Sequence, residues 1–137
     1  MNDVQHILTH CRTVAVVGLS PKTHRDSYEV AEFLQNRGWR IIPVNPLAKV
    51  PSILGERVYA SLTEAAAHEH IDLVDCFRNS EDIPPIVDEA IALGLGAVWM
   101  QLGIEHAQSG AKARAAGLRV VENRCLKIDL ARFEPQA

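Results

Sequence analysis

The sequence is short of several things, and each shortage removes a class of function. It has three cysteines, Cys11, Cys76 and Cys125, far apart, with no CxxC pair and no metal-ligand spacing. So sparse and odd a set excludes a disulfide framework and suits reduced thiols in a cytoplasmic protein. No apolar run approaches the roughly 20 residues that cross a bilayer, so no membrane partner is expected. The opening MNDVQHILTHCR lacks a basic stretch followed by an apolar one, and no secretory signal is expected. A basic excess is also missing. Lys and Arg number 14 against 17 Asp and Glu, a net charge of -3, without the positive face that a nucleic-acid binder presents. There are no internal repeats and no low-complexity segments.

What remains is a composition of 47% hydrophobic and 23% charged residues over 137 positions. That is enough for one domain with one sizeable core, and a single domain over 1–137 is expected. The order of patterns specifies which kind. Thr13 to Gly18 is an apolar, β-branched run that stops at a glycine, as a strand buried on both faces does. A helical stretch follows from Ser27 to Arg37, with Gly38 at its end. Strands are predicted over Trp39–Val44, Ile71–Phe77, Ala97–Leu102 and Leu118–Val121. Helices are predicted from Ser61, from Ser80 to about Leu93, and over Glu105–Ala116. Ser80 reads as a helix cap. The alternation specifies α/β: a single Rossmann-like, doubly wound domain, with a mainly parallel five-stranded sheet and helices on both faces.

In such a sheet, ligands sit beyond the carboxyl ends of the strands, where the strand order reverses. The first strand-end loop reads Gly18-Leu19-Ser20-Pro21-Lys22-Thr23-His24-Arg25. It is not GxGxxG, yet it has the parts of an anion site. Gly18 permits a close backbone approach, Ser20 offers a hydroxyl, Lys22 and Arg25 carry charge, and a helix N-terminus follows. The second strand ends Val44-Asn45-Pro46, without the carboxylate that holds ribose hydroxyls in NAD-binding domains. A phosphorylated ribose tolerates that absence, which favours coenzyme A or NADP over NAD. Phe77 and Arg78 end the third strand, where a ring and a guanidinium can cover a base and meet pyrophosphate. Gln101 offers an amide at the end of the fourth.

These segments carry a resemblance. Val14–Ser20, Ile42–Pro46, Val74–Arg78, Val98–Gly103 and Val120–Cys125, taken in order over nearly the whole chain, resemble the small stand-alone CoA-binding protein family. That family is related to the N-terminal CoA-binding domain of the succinyl-CoA synthetase alpha subunit. The resemblance implies a Rossmann-like domain that binds coenzyme A or an acyl-CoA. It implies phosphates on the Gly18–Arg25 loop, adenosine beside Asn45 and Pro46, and the rest of the ligand along Phe77, Arg78 and Gln101. The synthetase's glycine-rich first loop is replaced here by Ser20-Pro21-Lys22. None of the six histidines lies in a segment like its phosphohistidine loop, so ligase activity is not implied.

For chemistry of its own the chain offers little. His68-Glu69-His70 lacks the i, i+4 geometry of a helical metal pair and precedes a strand, away from the expected site. No metal site is expected. Cys125 is a candidate thiol partner for the ligand, beside Arg124 at the carboxyl edge. The leading expectation is therefore a non-catalytic binding module that takes a small nucleotide ligand, as a homodimer or beside a partner enzyme. Two others stand beside it: an NADP-binding oxidoreductase or redox sensor, and an interaction subunit that has lost ligand binding.

Overall fold

Each predicted apolar run contributes a strand to one parallel sheet in the computed structural model, which describes residues 1–133. The expected domain range thus extends past the described residues at 134–137. In chain order the elements are α1 (Asp3–His10), β1 (Thr13–Val17), α2 (Asp26–Asn36), β2 (Arg40–Val44), β3 (Ser52–Ile53) and β4 (Glu56–Arg57). They continue with α3 (Leu62–His68), β5 (Leu73–Cys76), α4 (Ile83–Ala92), β6 (Ala97–Met100), α5 (Ala107–Ala115), β7 (Arg119–Val121) and α6 (Leu126–Phe133).

The sheet order is β2-β1-β5-β6-β7, with every neighbouring pair parallel. The chain steps outward from β1 to β2, then returns to the far side of β1 for β5, so the winding reverses between β1 and β5. Side chains alternate across this sheet as the two-residue period of a strand requires. Val14, Val16, Leu73 and Trp99 pack on one face under α1, α2 and α6; Ala15, Val17, Val74 and Met100 pack on the other under α3, α4 and α5. Both faces are covered, which is why the strands read as unbroken apolar runs.

Local signals place the helices. α1 starts in a reciprocal capping box, Asn2 accepting from the Gln5 N–H while Gln5 accepts from the Asn2 N–H. α2 buries Val30, Ala31 and Leu34 and ends with the Trp39 N–H donating to the Leu34 carbonyl. Ser61 caps α3 through the Glu64 N–H. Ser80, however, is not a helix cap. It opens a short 3-10 turn, Ser80–Asp82, and its hydroxyl accepts from the Glu105 N–H, linking two strand-end loops. Further elements also lie outside the expected set. The β3–β4 hairpin turns at Leu54 and Gly55, and α6 packs Leu126 and Leu130 into the core.

Candidate functional site

The site is built outward from Gly18. Its φ is +91°, and a Cβ there would lie 2.8 Å from the Phe77 carbonyl oxygen and 3.0 Å from Arg78 Cδ. Only glycine lets the ends of β1 and β5 close to this distance. The Gly18 N–H also donates to the Val44 carbonyl, so the ends of β2, β1 and β5 converge on one residue at the reversal point.

The loop beyond it is tied down from inside. Leu19 is fully buried, and its carbonyl accepts from Asn45 Nδ2 at 2.9 Å. The Ser20 N–H donates to Ser27 Oγ, and Ser20 Oγ accepts from the Lys22 N–H. Arg25 stands at the N-cap of α2 with extended backbone, and no side-chain capping hydrogen bond forms there among the described residues. The first-turn N–H groups of α2 are therefore left to whatever occupies the adjoining space, at the positive end of the helix dipole.

Three clefts meet here. One of about 530 Å³ lies between α2 and α6, lined by Phe77, Arg78, Gln101, Cys125 and Ile128 among others. A second, about 260 Å³, lies between the end of β2 and α4, with Gly18, Pro46, Leu62 and Arg78 on its wall. The third, also about 260 Å³, is the loop cleft, bounded by Gly18, Ser20, Arg25, Asp26, Ser27 and Phe77. Gly18, Phe77 and Arg78 each line two of them, so the three form one track across the carboxyl edge.

Of the sequence-predicted residues, Gly18, Ser20, Arg25, Pro46, Phe77, Arg78, Gln101 and Cys125 all lie on this track. Lys22 and Asn45 line none of the three clefts. Lys22 is exposed on the outer part of the loop. Both polar ends of Asn45 are consumed, Nδ2 by Leu19 and Oδ1 by the Leu47 N–H, so it staples two loops together. Arg78 reaches Asp82 at 3.5 Å, while its aliphatic stem lies over Gly18.

The fourth strand end holds an arrangement that the sequence reading passed over. Asp75, in the middle of β5, is fully buried on the apolar face, with Val16 and Trp99 in register on either side. Gln101 Nε2 donates to its Oδ1 at 2.7 Å, and Oδ2 has no partner among the described residues. Burial lifts the Asp75 carboxyl to about 7, an effect the Gln101 hydrogen bond only partly offsets. A lone carboxylate inside the run Leu73–Cys76 was the available signal.

The thiols divide sharply. Cys11 and Cys76 are buried, and burial pushes both upward, Cys11 to about 11. Cys125 is half-buried at the wall of the α2/α6 cleft. Arg124 does not turn to it; its guanidinium grips Asp129 with two bonds of 2.7 Å. The His68–His70 segment is engaged elsewhere. Glu69 takes Arg40 and the Tyr59 hydroxyl, and His70 meets Asp72 at 2.6 Å.

Residues 12–131 match the family model described as CoA binding domain. The chain belongs to this family. The chain is 32% identical to the uncharacterized protein YneT of Bacillus subtilis over 126 residues, which is 92% of this chain and 90% of YneT. Its fold matches a solved Thermus thermophilus structure, cell-free ID.343, with TM-score 0.90 and 33% identity, covering 98% of this chain and all of that one. A Candidatus Korarchaeum cryptofilum acetyl-coenzyme A synthetase, solved with phosphate and ADP, has the same fold over 88% of this chain, at 18% identity and TM-score 0.71; the match spans 27% of that enzyme. Among the described residues of the CoA-binding domain, no helix is long and apolar enough to cross a membrane.

Proposed function

We propose that the chain binds coenzyme A or an acyl-CoA along the track of three clefts and serves as a binding module rather than an enzyme. The observation that carries this is the junction at Gly18, where an uncapped helix N-terminus and Arg25 stand between two less polar clefts, one of them twice the volume. Coenzyme A has that sequence of parts: a nucleotide, a charged pyrophosphate and a long arm ending in a thiol. The nucleotide fits beside Pro46 and Leu62. The pyrophosphate faces the α2 N–H groups and Arg25, where dipole and charge act together. The arm enters the α2/α6 cleft, with its thiol toward Cys125.

The lining supports binding more than catalysis. No histidine lines any of the three clefts among the described residues, so Cys125 has no imidazole base in the cleft of the kind that activates a nucleophile. Its reactivity toward the ligand is limited to exchange. Attack of the Cys125 thiolate on CoA disulfide forms a protein–CoA disulfide and releases one CoA thiolate. Intact mass after incubation with CoA disulfide should show one adduct that disappears in Cys125→Ser; an adduct level unchanged in that variant removes Cys125 from the ligand path.

Calorimetric titration with CoA, dephospho-CoA, NAD and NADP tests the reading as a whole. The expected result is CoA binding that weakens without the 3′-phosphate. Preference for NADP would assign the site to redox chemistry, and no binding to any of the four would leave an interaction subunit.

A further inference from the structure

The Asp75 carboxyl is a costly choice where it stands. It is wholly buried between Val16 and Trp99, with one hydrogen bond and one orphaned oxygen among the described residues. Burying a carboxyl so incompletely paired opposes folding, and an apolar side chain of similar size would pack there at less cost. What it does accomplish concerns Gln101, whose side chain separates Asp75 from the α2/α6 cleft: Gln101 lines that cleft and Asp75 does not.

A carboxamide has a donor end and an acceptor end of nearly equal size, joined by a torsion that turns freely. Packing alone cannot choose between them, but a partner can. An ionised carboxyl only accepts, so it holds Nε2 inward, as observed at 2.7 Å. Gln101 Oε1 has no partner among the described residues and, unlike Asp75 Oδ2, is not sealed from solvent. The backbone keeps the residue in place, its N–H donating to the Cys76 carbonyl and its carbonyl accepting from the Ile104 N–H.

We infer that Asp75 is a positioning residue that fixes the Gln101 carboxamide with its oxygen toward the α2/α6 cleft, so that this cleft accepts an N–H from an amide-bearing ligand arm. The inference rests on the proposed CoA reading and deepens it by setting the ligand's direction. A phosphate has no N–H to give and is disfavoured beside a fixed acceptor oxygen, whereas the pantetheine arm carries two amides. The phosphates are thereby directed to the Arg25 side and the arm to the Gln101 side.

The experiment compares wild type, Asp75→Leu and Asp75→Asn at pH 8, titrating CoA and 3′-phosphoadenosine 5′-diphosphate, which lacks the arm. Asp75→Leu removes the partner and frees the amide; Asp75→Asn keeps the shape but carries both an acceptor and a donor, so it no longer selects which end of the Gln101 amide turns inward. The expected result is about tenfold weaker CoA binding in Asp75→Leu, with the truncated nucleotide unchanged and Asp75→Asn weakened by a smaller factor. In ligand-free protein, the Gln101 side-chain amide resonances should move in both variants, a readout independent of any ligand. Equal weakening of both ligands, or equal CoA affinity in all three proteins, overturns the inference while leaving the CoA reading intact. Failure of the wild type to bind CoA overturns the CoA reading and this inference with it.

Discussion

The two ends of the sheet are made from the same elements and treat charge in opposite ways. At the amino end the charged groups are paired off. Arg40 binds Glu69 at 2.9 Å and lies 3.8 Å from Glu56, Arg119 reaches Asp3, and Asp72 accepts from the Arg12 and Thr13 N–H groups while holding His70. At the carboxyl end Arg78 meets Asp82 and Arg124 holds Asp129, but Lys22 and Arg25 form no ion pair among the described residues, α2 starts without a cap, and three clefts adjoin. Charges already paired lower the free energy of the folded chain a little and attract nothing further. Groups left open are where a charged ligand gains most. The reversal at β1 and β5 is what creates the difference, because two adjacent strand-end loops there diverge to opposite faces and leave a crevice between them.

The sharpest way to break this comparison is at glycine. Gly18→Ala forces a Cβ against the Phe77 carbonyl at φ +91°, and we expect a loss of about 4 kcal/mol in urea unfolding, with ligand binding lost as well. Gly117, at the amino end before β7, has a similar φ of +94° but open space around it. Gly117→Ala should cost only about 1 kcal/mol, the backbone term alone. Equal costs would show that the close approach at Gly18 does not matter.

Next in size is a pH effect at Asp75. Its carboxyl titrates near 7 in the fold, against an ordinary value near 3.9 in the unfolded chain. Between these values the native state holds a proton that the unfolded state has released, so stability falls as pH rises from about 4 to about 7 and is level above. Asp75→Asn lacks this slope. We expect the variant to gain on the order of 3 kcal/mol over wild type at pH 8 and almost nothing at pH 4. Parallel stability curves for the two proteins from pH 4 to pH 8 would show that burial does not shift Asp75.

The smallest effects contrast two arginines. Arg25→Ala should weaken CoA binding by roughly 1–3 kcal/mol and leave the melting temperature nearly unchanged. Arg40→Ala should do the reverse: its pairing is half exposed, so stability falls by less than about 1 kcal/mol and ligand affinity stays constant. An unchanged CoA affinity in Arg25→Ala would take Arg25 out of the site.

Much of the molecule was legible beforehand because it depends on near neighbours in sequence. The five runs and the helices between them fall within a few residues of their predicted positions, since burial on both faces of a parallel sheet leaves a one-dimensional trace. Gly18, Phe77, Arg78 and Gln101 could be picked out because strand ends are where this fold opens. Other features depend on partners distant in sequence. The hydroxyl of Ser80 is used 25 residues away at Glu105, so a motif that looks like a cap makes a loop-to-loop tie. Asn45 is occupied by Leu19 and Leu47, and Arg124 by Asp129, and neither pairing follows from composition or spacing.

By itself, then, the sequence determined the parallel architecture and the strand-end residues from which the proposed anion site is drawn, because these follow from hydrophobic period and the residue types at strand ends. The tertiary structure decided which of those residues remain open and which are spent on the fold. It brought β5 against β1, so that Gly18 sits 2.8 Å from a carbonyl where a Cβ would be. It also set Gln101 over Asp75, 26 positions apart in the chain, because neighbouring strands of a parallel sheet come from distant stretches of sequence.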